Sequence, residues 1–250
     1  MTDSLFTSDT IFNNATVIRQ PRYGFRFSSD ALLLAWFISK RVSSGIALEV
    51  GAGSGVISIL LKRRGFSGDI TAVEIDNATT PLLIENINAN ALQGAITPIK
   101  GDFFSPDVIP VQERYDVVFS NPPFFSSTNT HLLNGKNSKY NAKHEVSFTI
   151  PIFSEKSSKI LKKGGSFFVV FPVERMQYLL ANLEQNALYA QEVLFIKEYE
   201  NNNPSLFLLH ARKRKNKNAM PLKSVGFTTI KNGDGSLSKT GADIFYDSPS

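Results

Sequence analysis

The sequence predicts an α/β fold, a mostly parallel sheet with helices on both faces and one antiparallel strand. Three observations point there. From residue 46 onward, short apolar runs of strand length alternate with longer runs whose apolar residues recur at helical spacing. One strand-to-helix junction is the glycine-rich turn Gly51-Ala52-Gly53-Ser54-Gly55, where a backbone can approach a ligand and a helix N-terminus offers free N–H groups. The last two strands, Gln191 to Tyr199 and Ser205 to Lys213, are joined only by Glu200 to Pro204. That link is too short for a parallel crossover, so these strands pair antiparallel.

Composition bounds the function. A chain of 250 residues with 42% hydrophobic and 20% charged residues is an ordinary globular protein with room for one large domain. With no cysteine and three scattered histidines, disulfides and thiolate zinc sites are ruled out and no metal-ligand spacing exists, so no metal is expected. The N-terminal residues lack a basic and then apolar leader, and the longest apolar run, Ala31 to Ile38, is too short to span a bilayer. The expectation is a cytoplasmic protein with no membrane partner. A net charge of +5 and a pI near 9.3 permit a polyanionic partner without requiring one.

Taken in order, Ile11 to Phe27 carries Arg19, Arg22 and Arg26 among aromatics, and its alternation over Tyr23 to Phe27 reads as a short strand or extended arm. Ser28-Ser29-Asp30 offers N-cap side chains for a helix from Ala31 to about Arg41, apolar nearly all round and therefore buried against the sheet. The strand Ile46 to Val50, which includes Glu49, then feeds the glycine turn and a helix over Val56 to Arg64. The G-x-G-x-G spacing departs from the dinucleotide G-x-G-x-x-G and points to another adenosine-containing ligand; a tight turn without a ligand is the alternative. Glu74, at the end of the strand Ile70 to Val73 and just before Ile75, lies 23 residues beyond Gly51. That is near the offset of about 20 at which a strand-end acid reaches ribose hydroxyls.

A helical run over Ala78 to Asn90 leads to the strand Ile96 to Lys100 and then to Gly101-Asp102. Asp102 suits an adenine amino group, with Phe103 or Phe104 against the ring, or else it is a plain loop acid. The strand Tyr115 to Ser120 ends in Asn121-Pro122-Pro123-Phe124. The Asn121 side-chain carbonyl and the Pro122 backbone carbonyl are acceptors and Phe124 is a stacking face, a set suited to a planar amine; Asn-Pro is also an ordinary turn dipeptide. Phe125 to Glu145 is a polar loop made basic by Lys136, Lys139, Lys143 and His144, either a substrate contact or a solvated loop. A helix over Ile152 to Leu161, a strand over Ser166 to Phe171 and a helix over Val173 to Ala187 follow. After the antiparallel pair, Arg212-Lys213-Arg214-Lys215-Asn216-Lys217 could hold phosphates or be a solvated segment. The tail, with the turn signals Asn232-Gly233-Asp234-Gly235 and then Ile244-Phe245-Tyr246, is expected to close as a short hairpin or docked strand.

Glycine turn, acid, Gly-Asp and Asn-Pro-Pro-Phe fall in order at successive strand ends. This series resembles the Rossmann-like, seven-stranded fold of class I S-adenosylmethionine-dependent methyltransferases, specifically those that modify planar amino nitrogens. It extends to the bacterial methyltransferases acting on N6 of adenine 37 in a valine tRNA, which are similar in Phe25 to Trp36, Asn141 to Glu145, Leu209 to Lys213, and an ending like Asp234-Gly235-Ser236 with Phe245-Tyr246. Ser28-Ser29 stands where that family has Gly-Thr, and Phe25 and Phe27 flank Arg26, departures that bear on the cofactor lid.

The resemblance implies a single methyltransferase domain over 1–250, with an arm and lid helix over 1–45, a catalytic core over 46–214 and an extension over 215–250. It implies S-adenosylmethionine as cofactor, held by Arg26, Asp30, Glu49, Gly51, Gly53, Gly55, Glu74, Ile75, Asp102, Phe103 and Asn121. Asn121, Pro122, Pro123 and Phe124 would receive the acceptor amine. RNA, in particular a tRNA anticodon loop, would contact Arg19, Arg22, Lys139, Lys143, His144, Arg212, Lys213 and Arg214, with the protein a monomer. Methylation of guanine N2 in ribosomal RNA or of a glutamine amide fits the same turn. A non-catalytic RNA-binding module and a nicotinamide dehydrogenase are the readings from other classes. The basic arms favour RNA over a protein substrate.

Overall fold

The structure, a computed structural model, describes residues 6–11, 16–21, 29–122, 149–214 and 221–246. Its centre is an eight-stranded sheet. In chain order the strands are β3 (Ala47–Val50), β4 (Ile70–Glu74), β5 (Ile96–Lys100), β6 (Tyr115–Ser120), β7 (Leu161–Pro172), β8 (Leu188–Lys197), β9 (Leu206–Lys213) and β10 (Ser224–Thr229), arranged in space as β10-β8-β9-β7-β6-β3-β4-β5. All neighbours run parallel except β9, which is antiparallel to both β7 and β8. The carboxyl ends of β3, β4, β5, β6, β7, β8 and β10 therefore share one rim, and β9 ends on the opposite one. Pro98 sits in the edge strand β5, where a missing N–H costs no ladder bond.

Helices cover both faces. α1 (Ser29–Ser39) buries Ala31 to Ala35, Phe37 and Ile38, as its all-round apolar sequence requires. Phe37 meets Phe168 of β7 edge-on, with centroids 6.0 Å apart. Full burial of one such side chain stabilises the fold by roughly 1.5–3 kcal/mol. α1 shares its layer with α2 (Val56–Arg63) and α3 (Thr80–Ala89). On the other face α4 (Ile150–Ile160) and α5 (Met176–Gln185) bury Phe153, Leu179 and Leu183 with Phe167 and Phe207. A short 3-10 turn, Val173–Arg175, precedes α5.

Three features depart from the expectation. The first two strands, β1 (Phe6–Ile11) and β2 (Thr16–Pro21), form an antiparallel hairpin. The hydrophobic pattern conceals it because the buried positions of β2 are Thr16, Ile18 and Gln20, while Val17 points outward. The sheet has an eighth strand, β10, parallel to β8. The tail corrects the reading of Ile244-Phe245-Tyr246 as strand, since these residues end helix α6 (Lys239–Tyr246). Ile244 is fully buried, the Trp36 indole donates to Asp243 Oδ2 at 2.8 Å, and Arg64 donates to the Asp243 and Ile244 carbonyls at 3.0 and 2.8 Å. The expected strand or arm over Tyr23 to Phe27 lies outside the described residues, as does the polar loop over Phe125 to Glu145. Among the described residues no helix is long and apolar enough to cross a membrane.

Candidate active site

The shared carboxyl rim collects the strand-end motifs. β3 delivers the chain into Gly51, Gly53 and Gly55 with φ of +68°, +56° and +83°, the left-handed region that penalises any side chain. A Cβ at Gly51 or Gly53 would meet nothing within 4 Å, so both present bare backbone to open space. At Gly55 it would lie 2.6 Å from Leu83 Cδ1, so this glycine also lets α2 and α3 pack. The cleft above the turn is open to solvent and is lined by Ala31, Glu49, residues 51–54, Val56, Ile57, Thr79 and Asn121. Asn121 is brought there because the Ser120 hydroxyl donates to the Val50 carbonyl at 2.8 Å, pinning the end of β6 to the end of β3.

Buried acids hold the turn from beneath. Glu74 receives the Gly53 N–H on Oε2 and the Asp76 N–H on Oε1, each at 2.7 Å. Glu49 accepts on Oε2 from the Ser58 N–H at 3.2 Å and from the Ser58 hydroxyl. Burial pushes its carboxyl up to about 8, against the pull of the Ser58 bonds, and burial likewise raises Glu74. A carboxyl group whose ionisation burial disfavours gains most from a cation placed beside it, which would draw it to its anion.

A residue the sequence did not single out completes the support. Asn86, fully buried on α3, donates through Nδ2 to the Ser54 and Arg19 carbonyls and accepts the Arg19 N–H on Oδ1, all at 2.8 Å. One amide thus joins the glycine turn to the N-terminal hairpin. Asn90, one helical turn on, donates to the Val17 carbonyl at 2.8 Å. Asn recurring at i and i+4 on an otherwise apolar helix face was the available sign. Thr79, which lines the cleft, donates to Asp76 Oδ2 at 2.6 Å.

The other expected residues divide. Asp102 follows β5 on the same rim, and its Oδ1 accepts the Phe104 N–H at 2.8 Å. Phe103 is buried in the core, its ring 6.1 Å from that of Phe153, so the ring face beside Asp102 is better served by half-buried Phe104. Lys156 on α4 braces this turn by donating to the Ser105 carbonyl at 3.0 Å. Ile75 is half-buried directly after Glu74, and Asp30 occupies the first turn of α1, beside Ala31 of the cleft. Pro122 is buried after Asn121. Arg22, Arg26, Pro123, Phe124, Lys139, Lys143 and His144 lie outside the described residues.

The basic cluster after β9 is not brought to this rim. Because β9 runs antiparallel, Arg212 pairs with Ser166 near the start of β7, at the opposite end of the sheet. There Arg212 donates to the Gly164 carbonyl at 3.1 and 2.8 Å, Lys213 to Glu113 at 2.7 Å and the Leu161 carbonyl at 2.8 Å, and Arg214 to the Tyr189 hydroxyl while lying over its ring. Arg212, Lys213 and Arg214 thus tie strand ends together on the rim opposite the cleft. Arg19, on the hairpin, is half exposed and pairs with Glu85 at 2.8 Å.

Comparison with known proteins agrees with this architecture. The model of the methyltransferase small domain matches residues 27–194. A protein named tRNA1(Val) (adenine(37)-N6)-methyltransferase from Trichodesmium erythraeum is 26% identical over 200 residues, 79% of this chain and 82% of the relative. Among solved structures, a predicted O-methyltransferase from Agrobacterium tumefaciens superposes with a TM-score of 0.65 at 14% identity, covering 88% of this chain and 97% of that one. TYW2 from M. jannaschii, crystallised with AdoMet, gives 0.58 at 16% identity over 86% and 89% of the two chains. With the family model spanning α1, the glycine turn and the Asn121 strand end, the chain belongs to the methyltransferase small domain family.

Proposed function

We propose that this chain transfers a methyl group from S-adenosylmethionine to the exocyclic N6 of an adenine in tRNA, in particular adenine 37 of a valine tRNA. The observation that carries the proposal is the placement of Asn121 on the cleft that the glycine turn forms, pinned there through Ser120 and Val50. The names of the relatives support the substrate.

The residues present fit the cofactor. Gly51 and Gly53 present bare backbone, with no protein atom within 4 Å of where a Cβ would stand; the ammonium of the methionine part would draw the Glu49 carboxyl, which burial alone favours as the neutral acid, to its anion; and Glu74 would accept from ribose. Asp102 would accept from the adenine amino group. Bound S-adenosylmethionine supplies a sulfonium methyl and a neutral thioether leaving group. The amino nitrogen of adenine is a poor nucleophile because its lone pair is delocalised into the ring. Asn121 Oδ1 and the Pro122 carbonyl would each accept one amino hydrogen, favouring a pyramidal nitrogen whose lone pair is aimed in line, and positioning supplies much of the rate. No side-chain base is needed, since the nitrogen becomes acidic once methylated. A loop adenine reaches such a pocket more easily than a paired one.

Asn121→Ala tests the assignment. It removes an acceptor used in transfer and is expected to lower kcat by roughly 100- to 1,000-fold, the scale of losing one preorganised polar contact to the reacting centre. Calorimetry should show S-adenosylmethionine affinity within about twofold of wild type. Unchanged turnover would sink the assignment.

A further inference from the structure

Far from the cleft, an aromatic side chain stands exposed on a rigid base. Phe227, in the edge strand β10, is 63% exposed, more than any other large hydrophobic among the described residues. Its ring stacks on Phe195 of β8, with centroids 5.1 Å apart and planes at 21°, and Phe195 in turn meets the fully buried Phe207 of β9 at 6.3 Å. The three rings form a row running out of the core, so the outermost one is held in place before any ligand arrives. Lys197 lies 5.5 Å from the Phe227 centroid and Lys231 lies 5.4 Å from that of Tyr199, with Lys231 also paired to Glu198. Exposed Lys223 leads into the strand.

We propose that Phe227 is a stacking platform for a nucleotide of the RNA substrate outside the acceptor pocket, with Lys197 beside it for a phosphate. This rests on the RNA reading above. A fixed aromatic face with an ammonium group beside it is what single-stranded nucleic acid recognises, and stacking is tolerant of base identity. The position fits one continuous ligand. β10 and β6 run in the same direction, so Phe227, two residues before the end of β10, lies toward the rim that carries Asn121. Four strand spacings of about 4.8 Å separate them, roughly 19 Å across the sheet, a distance a folded RNA loop and its stem can span. The ammonium group of Lys197 against the ring favours a polyanionic occupant over a second copy of the chain, which carries a net charge of +5.

The test compares wild type, Phe227→Ala and Phe227→Trp on unmodified full-length tRNA and on a short oligonucleotide bearing only the acceptor adenine and its neighbours. Loss of one stacked base is expected to raise the tRNA Kd and KM of Phe227→Ala about tenfold. Saturated kcat, S-adenosylmethionine affinity, melting temperature and the oligonucleotide KM should stay within about twofold, and Phe227→Trp should retain tRNA binding. Unchanged tRNA affinity in Phe227→Ala overturns the proposal. An equal loss on tRNA and oligonucleotide overturns it too, as does a wild-type dimer in sedimentation that Phe227→Ala dissociates. If wild type methylates tRNA and the alanine variant matches it, this inference alone fails; if wild type methylates no RNA, the RNA reading fails first.

Discussion

At the carboxyl rim of β3 and β4, buried carboxyl groups receive backbone N–H groups from the glycine turn and its surroundings, while at the opposite rim, where β9 ends, guanidinium and ammonium groups donate to backbone carbonyls. The acids stand beside an open cleft and the bases beside closed strand ends. The difference shows that a charged cluster takes its meaning from the rim it reaches, and strand direction decides the rim. One antiparallel strand carries Arg212, Lys213 and Arg214 to the rim opposite the cleft, where they make ties within the protein.

The largest effect that would test this comparison is expected at Asn86. Asn86→Ala strips the Ser54 and Arg19 carbonyls and the Arg19 N–H of their buried partner, at a cost of about 2–4 kcal/mol. For a chain of this size that lowers Tm by roughly 5–15 °C. S-adenosylmethionine affinity should fall with it, since the glycine turn loses its brace; a variant that melts earlier yet binds the cofactor normally would separate the hairpin from the site.

Glu49→Gln comes next. The folded carboxyl sits at about 8 and the unfolded one near 4.5. Between those values the folded chain holds a proton that the unfolded chain has released, so stability is full below about pH 4.5 and falls as pH rises toward 8. Glu74 is raised as well and contributes in the same direction, so the measurement is the difference between wild type and Glu49→Gln. Melting curves from pH 5 to 8.5 should show the wild type losing more stability than the variant, by a few kcal/mol at most. Parallel curves would place Glu49 outside the account.

The smallest effect sharpens the other rim. Arg212→Ala removes two bonds to the Gly164 carbonyl and should cost about 1 kcal/mol of stability, leaving tRNA affinity within about twofold in a filter-binding assay. A tenfold loss of tRNA affinity would return the cluster to the RNA surface.

Much of this was legible in the sequence because the relevant forces are local. Three alternating glycines have few uses other than positive φ, and Gly51, Gly53 and Gly55 all adopt it. The apolar run Ala31 to Ile38 admits no exposed face, and it is buried. The antiparallel pairing of β8 and β9 follows from a short link. What the sequence hid depends on partners distant along the chain. The β1–β2 hairpin buries Thr16 and Gln20 and is received by Asn86 and Asn90, so polar complementarity replaces the hydrophobic alternation that would have announced it. The bond from Asn86 to Ser54 spans 32 residues. Which of Phe103 and Phe104 turns inward depends on Phe153, some 50 residues further along the chain. β10 shows no strong alternation because one face carries Ser224, Gly226 and Thr228 and the other is exposed.

The central claim is that the amine held at Asn121 belongs to a tRNA adenine. Unmodified total RNA, incubated with the protein and methyl-labelled S-adenosylmethionine and then digested to nucleosides, tests it most directly. The account predicts label in N6-methyladenosine, recovered from tRNA and mapping to the anticodon loop; label in N2-methylguanosine, or in protein rather than RNA, would contradict it.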